Sequence, residues 1–365
     1  MPNQADILSV DKNLAEWFEQ MCLRSKHSKA FPAGTNYNTR YKSISEYLNK
    51  NIHTEVERRS LLLSLFSNEA DTNLICYLNN HGSGHVECVI DRATELLKNL
   101  ECGLTPYEGY LLLVAIHFHD VGIIFGRDNH ETKAGEIMTR LGVLAGNDEP
   151  EKRKILGLAA AHAGNICGDK DKINRLVPSD ALLGKNIRPR LLAAILRFAD
   201  ELADDRTRAS RFLLEDDLLP PGSEIYHAYS NSLTSVIVDS KEIRLSYEID
   251  KKTALKKYKK IKTEVYLLDE IYERTGKIHL EKIYCLRYLR PFICVKNEEI
   301  KVTIEVFEDY LQSTEPREKI TYTLSEAGYP DTAPAKFCED MTELKDSENN
   351  FMNGEWLKDK LIAGE

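Results

Sequence analysis

The segment from residue 104 to 120, LTPYEGYLLLVAIHFHD, constrains the fold more than any other part of the chain. It opens with Thr105 as a helix N-cap, a proline at the first helical position and Glu108 at the third, which together form a capping box. The helix that follows is apolar on nearly all sides, so we expect it to be buried at the centre of a helical domain. Gly122 ends the helix or lies just beyond it.

Amphipathic patterns flank this central helix. The segment 85–100 repeats apolar residues at i, i+3, i+4 and i+7, which predicts a helix. Similar patterns predict helices over 130–141 and 151–163, and another that begins at Pro189. Because no convincing strand precedes residue 215, we expect residues 1–215 to be all α.

The pattern changes after residue 222. Alternating residues predict strands over 234–238, 242–247, 284–295 and 299–306, and a helix of about 25 residues is expected over 252–275. The predicted fold class is therefore mainly α, a helical domain with a small C-terminal α/β lobe. We expect an N-terminal helical segment packed on the core (1–70), a helical domain (71–222), the lobe (223–326) and an irregular acidic tail (327–365).

Composition excludes several classes of protein. The net charge is −9, which argues against a protein that wraps nucleic acid. No apolar run reaches the roughly 20 residues of a membrane span, and the N-terminus lacks a secretion signal. The eight cysteines form no CxxC pair, so we expect reduced thiols in a cytoplasmic protein. The basic segment 250–262, which we place on a helix, is either a solvated face or a site for a phosphate-rich ligand or an acidic partner.

Six of the ten histidines are clustered in the helical part of the chain. Burying an imidazole costs a few kcal/mol unless it is hydrogen-bonded or bound to a metal. One such histidine is usually a satisfied core residue, but several beside aspartates in apolar segments favour a metal site. The six are His81, His85, His117, His119, His130 and His162.

The strongest candidate ligands are a histidine and an aspartate on consecutive residues, His119 and Asp120. Both can reach one ion only where the backbone bends, and Gly122 is placed to permit a bend. His85 opens the preceding helix, and Asp200 lies inside the apolar stretch LLAAILRFADELADD. These nitrogen and oxygen donors suit one or two divalent ions, Mn²⁺, Mg²⁺, Fe²⁺, Co²⁺ or Ni²⁺.

Three segments in this order, GHVECVID, LTPYEGYLLLVAIHFHDVG and LRFADELADD, resemble the HD superfamily of metal-dependent phosphohydrolases. The HG…H form and the ADELADDRTR ending are most similar to the HD-CE kind found in bacterial conflict and defence proteins. The resemblance covers roughly residues 70–215. It implies that the helical domain 71–222 is an HD-type phosphohydrolase domain, whose metal ligands are His85, His119, Asp120 and Asp200.

The resemblance also implies roles for residues around the metal. His130 and His162 hold a second metal or contact the phosphate, and the alternative is that each only packs. Asp120 could bridge the two ions. Arg127 is the preferred phosphate contact.

The remaining polar residues near the motifs keep open alternatives. Lys133, Arg206 and Arg208 are either further phosphate contacts or members of surface ion pairs. His81 is a ligand, a capping group or a loop residue, and we expect it either to support a metal ligand or to bind the substrate. His117 should point away from His119 and be structural.

The substrate class is narrowed by comparison within the superfamily. The deoxynucleoside triphosphohydrolase branch has HD-x-G-H-x-P-F-G-H, whereas this chain has HDVGIIFGRDNH, with Ile123 in place of the first histidine after the pair. A (deoxy)nucleoside triphosphate is the leading substrate. The alternatives are a phosphodiesterase for cyclic nucleotides or single-stranded nucleic acid, and a non-catalytic nucleotide sensor. We also expect a regulatory nucleotide, a homo-oligomer, no membrane association and a part in phage defence.

Overall fold

A computed structural model describes most of the chain. The described residues are 12–24, 29–58, 80–98, 103–125, 130–164, 168–219, 222–239, 242–260, 263–292, 299–309, 313–325, 338–339 and 341–363. They form two compact units that are discontinuous in sequence. The helical unit comprises residues 1–59, 81–203 and 284–295, and the mixed unit comprises 60–80, 204–283 and 296–365. The predicted mainly α class with a small C-terminal sheet region is confirmed, whereas the predicted domain boundaries stay predictions.

The apolar faces of the main α-helices of the helical unit meet in one core. These helices are α1 (Leu14–Leu23), α2 (Tyr37–Leu48), α3 (Ser83–Lys98), α4 (Pro106–Phe118), α5 (His130–Leu141), α6 (Glu149–Ala160) and α7 (Pro189–Leu202). A π-helical turn, Asn49–His53, extends α2, and a 3₁₀ turn, Val121–Phe125, follows α4. Helices α1, α2, α3, α6 and α7 all contact α4.

Helix α4 is the central element, as its composition predicts. Every one of its residues is buried. The capping box is present, since Thr105 Oγ1 accepts from the Glu108 amide at 3.2 Å and the Glu108 carboxylate accepts from the Thr105 amide at 2.9 Å. Among the described residues, Pro106–Phe125 is also the one stretch long and apolar enough to cross a membrane, but 89% of its apolar window is buried inside the protein. That burial is usual for a core helix.

The cap makes a testable contribution to stability. Replacing Thr105 by alanine should lower the free energy of unfolding by about 1 kcal/mol, because the Glu108 amide loses its acceptor. Urea unfolding followed by circular dichroism measures the change. Thr139→Ala is the matched control, since Thr139 bonds only the Gly135 carbonyl on an exposed face of α5. Equal stability of the two variants would show that the cap is without effect.

The helical unit also contains a short β-hairpin, so the prediction that residues 1–215 are all α was wrong. Strands β1 (Asp180–Leu182) and β2 (Lys185–Ile187) pair antiparallel. The turn between them is Leu183-Gly184, and both residues have positive φ. Strands of three residues are too short to produce a readable alternation, which is why the pattern was missed.

The mixed unit is organised around a four-stranded sheet in the order β3-β4-β7-β8. Its elements in chain order are α8 (Arg211–Glu215), α9 (Glu224–Ser232), β3 (Leu233–Val238), β4 (Glu242–Asp250), α10 (Lys251–Leu255), β5 (Lys257–Lys260), β6 (Thr263–Tyr266), α11 (Leu267–Leu289), β7 (Glu299–Phe307), β8 (Glu318–Ser325) and α12 (Gly354–Ala363). Strands β4 and β7 are parallel, so the chain between them must cross over, and α11 lies in that crossover. A short helix near the C-terminus, α12, lies in the predicted tail.

The basic segment 250–262 does not lie on one long helix, so that prediction was wrong. After the short helix α10, Tyr258 is buried between exposed lysines on β5, which pairs with β6. Lys256 pairs with Asp217 and Glu224, and Lys260 pairs with Glu270 at 2.6 Å. Because these lysines already form ion pairs with carboxylates, the structure favours the solvated-face alternative over a phosphate ligand.

The strand predicted over 284–295 was also wrong, because α11 continues as a helix to Leu289. Aromatic residues in YCLRYL favour a strand by local propensity. In the folded chain Tyr284 and Tyr288 lie one helical turn apart and bond the same distant aspartate, Asp171. Helix α9 and strand β8 were not predicted at all.

Candidate metal centre

Four predicted ligands converge inside the helical unit. His85 Nε2 lies 3.2 Å from His119 Nε2 and 3.1 Å from Asp200 Oδ1. His119 Nε2 lies 3.2 Å from Asp120 Oδ2 and 3.5 Å from Asp200 Oδ1. The four side chains come from α3, from the end of α4 and from α7, so three helices are needed to assemble them. We call these four residues the first donor set.

The separations within the first donor set fit a shared cation. Donors about 2.1 Å from an ion are about 3.0 Å apart at adjacent octahedral corners and about 3.4 Å apart in a tetrahedron. The five separations that involve a histidine run from 3.1 Å to 3.7 Å, the longest being His85 Nε2 to Asp120 Oδ2. The donor atoms of His85, His119 and Asp120 all lie within 4.8 Å of one another. Two imidazoles and two carboxylates offer a mixture of nitrogen and oxygen donors typical of Mn²⁺, Fe²⁺, Co²⁺ or Ni²⁺ sites.

Asp120 presents its other carboxylate oxygen to a different pair of histidines. Oδ1 lies 3.2 Å from His130 Nε2 and 3.4 Å from His162 Nε2. These three residues, the second donor set, also have donor atoms close enough to hold an ion. One carboxylate thus belongs to both sets, one oxygen to each.

His119 and His162 are oriented in the same way. Each donates its Nδ1–H to a carbonyl three residues earlier, Ile116 for His119 and Ala159 for His162, at 2.6 Å in both cases. That bond selects the tautomer in which Nε2 carries a lone pair, and it aims Nε2 at Asp120. Each histidine follows a helix end, where such carbonyls lack helical partners.

Gly122 serves the site by close approach of two backbones. A Cβ on this glycine would lie 1.9 Å from the His130 carbonyl oxygen and 2.7 Å from its carbonyl carbon. His119 keeps helical dihedral angles, with φ −60° and ψ −41°. The backbone does bend at His119 and Asp120, as expected. Gly122 itself has no positive φ, and it must be small because the start of α5, with His130, lies against it.

The charges in the cluster are strongly coupled. Burial alone would raise the pKa of Asp120, but His119, His130 and His162 hold that pKa well below its usual range. Burial alone would lower the pKa of His119, yet Asp120 and Asp200 hold it well above its ordinary value. The cluster therefore retains a proton on imidazole without metal, and a cation would have to displace it.

Exposure distinguishes the buried donors from the partly exposed ones. The side chains of His85, His119 and His162 are at most 2% exposed. Asp200 is 25% exposed, and His130 is 16% exposed. Each donor set therefore contains one donor side chain that solvent can reach.

Comparison with known families agrees with this geometry. The model of the family described as HD-CE matches residues 63–277, more than half of the chain. The chain belongs to the HD-CE family. No curated protein matches the chain significantly. The HD-CE match includes the six residues of the two donor sets and also His81. These residues are His81, His85, His119, Asp120, His130, His162 and Asp200.

Two further residues predicted for the site lie near it. His81 precedes α3, and its Nε2 lies 4.0 Å from Asp120 Oδ2, with the side chain 16% exposed. Lys133 Nζ lies 3.4 Å from the Phe125 carbonyl. His117 Nε2 lies 3.3 Å from the Tyr41 hydroxyl, so this ring is engaged away from His119, as expected. Arg127 lies outside the described residues.

The other two candidate phosphate contacts of the HD-CE chain, Arg206 and Arg208, form ion pairs within the mixed unit. Arg206 pairs with Glu248 at 3.1 Å and donates to the Asn231 carbonyl. Arg208 lies 3.8 Å from Asp204. The ion-pair alternative is favoured for both.

Sequence reasoning missed Lys172, which bonds the backbone on either side of His162. A lysine in the run GDKDKIN carries no local signal of burial.

Proposed function

We propose that this protein is a metal-dependent phosphohydrolase acting on nucleotides, with a (deoxy)nucleoside triphosphate as substrate. The observation that carries the proposal is the division of Asp120, whose Oδ2 belongs to the first donor set and whose Oδ1 belongs to the second. A carboxylate shared in this way could hold two ions at the short separation that two-ion phosphoryl-transfer centres use. The nucleotide substrate rests on the resemblance to HD phosphohydrolases.

The donor sets suit divalent ions, which would supply a bound water of lowered pKa and positive charge for the phosphoryl oxygens. The protein's own task is to keep the two donor sets at a fixed separation, and Asp120 does this because it is buried and bonded on both sides. His119 and His162 stay correctly aimed because their Nδ1–H groups are held by backbone carbonyls. Little reorganisation is then needed when substrate binds.

Partly exposed polar side chains near the donor sets are the candidates for binding the substrate phosphate. His81 is 16% exposed and can donate to phosphoryl oxygens. Lys133 follows His130 by three residues, on the same face of α5. We propose His81 and Lys133, together with Arg127, as the phosphate contacts.

The wider proposal is a cytoplasmic enzyme of bacterial defence that is homo-oligomeric and responds to a regulatory nucleotide. These features extend the resemblance to the conflict-system proteins and depend on the activity being present. The second candidate, a cyclic-nucleotide phosphodiesterase, would use the same donor sets. The non-catalytic sensor is disfavoured, because a sensor needs no bridging carboxylate.

The test is product analysis. Purified protein with Mn²⁺ or Mg²⁺ is incubated with dNTPs, NTPs and cyclic nucleotides, and the products are separated by anion exchange. We expect nucleoside and triphosphate in equal amounts, with at least about a 10²-fold loss in Asp200→Asn. Asp204→Asn is the matched control, since Asp204 bonds Ser230 and Arg208 in the mixed unit.

Each outcome selects one function. Release of a linear monophosphate from a cyclic substrate would contradict the triphosphohydrolase proposal and favour the phosphodiesterase. Absence of turnover by a protein that binds two ions would contradict the hydrolase and favour the sensor.

A further inference from the structure

Lys172 is a buried lysine that the proposed chemistry does not use. Its Nζ donates to the Ala160 carbonyl at 2.7 Å and also to the Ala163 carbonyl. These carbonyls lie two residues before and one residue after His162. A buried ammonium is costly unless its hydrogens are bonded, so these two contacts hold the charge in place.

The carbonyls that Lys172 binds belong to a helix end. Helix α6 ends at Ala160, where the last carbonyls lack intrahelical partners and carry the negative end of the helix dipole. The preceding carbonyl, Ala159, is already used by His162, whose backbone amide and Nδ1 both donate to it. Lys172 and His162 therefore donate to different carbonyls of the same turn. Lys172 donates to those of Ala160 and Ala163, and the His162 ring donates to that of Ala159.

The residue before Lys172 is anchored by two tyrosines. Asp171 Oδ1 accepts from the Tyr284 hydroxyl at 2.8 Å and from the Tyr288 hydroxyl at 2.7 Å. Both tyrosines lie near the end of α11, in the part of that helix that belongs to the helical unit. These bonds hold Asp171 to a helix rather than to another loop.

The residue after Lys172 is anchored by the same tyrosine. The Ile173 amide donates to the Tyr284 hydroxyl at 3.2 Å. The Arg197 guanidinium lies 4.5 Å from the centre of the Tyr284 ring and donates to the Lys170 carbonyl at 3.3 Å. The backbone that carries Lys172 is thus held on both sides, so its ammonium has a defined position.

We propose that Lys172 is a positioning residue that holds the turn 161–163 and thereby keeps His162 Nε2 against Asp120 Oδ1. Its removal frees the Ala160 and Ala163 carbonyls, and the turn that aims His162 loses its external support. The second donor set then loses its geometry, whereas the first donor set contains no residue of this turn. The part of the inference that concerns ion binding rests on the proposed function, and the part that concerns His162 orientation does not.

The main test is Lys172→Met, which keeps the length of the side chain and removes the ammonium. Imidazole ¹⁵N NMR of the metal-free protein should show His162 fully protonated at Nδ1 in the wild type, because the Ala159 carbonyl accepts that hydrogen, and a mixture of tautomers, some without the Nδ1 proton, in the variant. Mn²⁺ titration by electron paramagnetic resonance should show the second ion bound at least about 10-fold more weakly, with the first ion unchanged. Lys154→Met is the matched control, because Lys154 lies on α6, the helix whose end Lys172 binds, and pairs with Asp180.

A second variant keeps the test decisive if Lys172→Met does not fold. Tyr284→Phe retains the ring and removes the hydroxyl that bonds Asp171 and Ile173, so it should shift the His162 tautomers in the same direction by a smaller amount.

In a double-mutant comparison, His162→Ala combined with Lys172→Met should weaken binding of the second ion no more than His162→Ala alone.

The outcomes separate the two proposals. A folded Lys172→Met protein with the wild-type tautomer of His162 overturns the positioning role. A wild-type protein that binds one ion contradicts the two-ion function, and the NMR signal of His162 still decides the role of Lys172.

Discussion

Replacing Asp120 by asparagine should abolish hydrolysis and leave the protein unable to hold two ions. The carboxylate offers one oxygen at 3.2 Å to His119 and the other at 3.2 Å to His130. An asparagine of the same shape has one oxygen and one NH₂ group, so one donor set would face two hydrogens instead of a lone pair. We expect the turnover to fall by at least about 10³-fold, since several kcal/mol of charge stabilisation depend on the ions.

The ion loss can be measured apart from activity. At Mn²⁺ concentrations of 100 times the dissociation constant, a bound ion stabilises the folded state by about 2.7 kcal/mol. Thermal unfolding with and without Mn²⁺ should therefore show a large shift for the wild type and a much smaller one for Asp120→Asn. Asp180→Asn is the control, because Asp180 lies on strand β1 and pairs with Lys154 on α6. Two ions bound to Asp120→Asn with wild-type affinity would disprove the bridging role.

Replacing Gly122 by alanine should destabilise the protein by about 3 kcal/mol, the upper end of the usual cost of overpacking a core. The added methyl would lie 1.9 Å from the His130 carbonyl oxygen, so one of the two backbone segments has to move. Because His130 begins α5 and its Nε2 lies 3.2 Å from Asp120 Oδ1, that movement also weakens the second donor set. Urea unfolding measures the stability, and Mn²⁺ titration measures the second ion.

A second glycine provides the control for Gly122. At Gly135, within α5, an added Cβ meets nothing closer than Leu156 Cδ1 at 3.8 Å, an ordinary contact. Gly135→Ala should therefore stabilise the protein by up to about 1 kcal/mol through helix propensity. If the two variants had equal stability, the close approach of the Gly122 and His130 backbones would not be a constraint.

The long helices around the site were predictable because their signals are local. The capping box at Thr105, the apolar face of α3 and the proline that opens α7 each act within one or two helical turns. The candidate ligands stood out for a similar reason, since histidine or aspartate in an apolar segment needs a partner. The helix predicted over 250–262 was wrong because the lysines there follow no helical or strand period. Burial of Tyr258 favours the hairpin instead.

By itself, the sequence determined the helical class, the central helix α4 and the identity of the residues able to bind metal. These depend on the spacing of apolar residues and on which side chains carry donor atoms. The tertiary structure alone decided how the two oxygens of Asp120 divide between His119 and His130 and why residue 122 is glycine. It also placed Lys172 beside the turn of His162. Each of these is a contact between residues or backbone atoms from separate elements, and contacts of that kind form only when packed helices bring distant segments together.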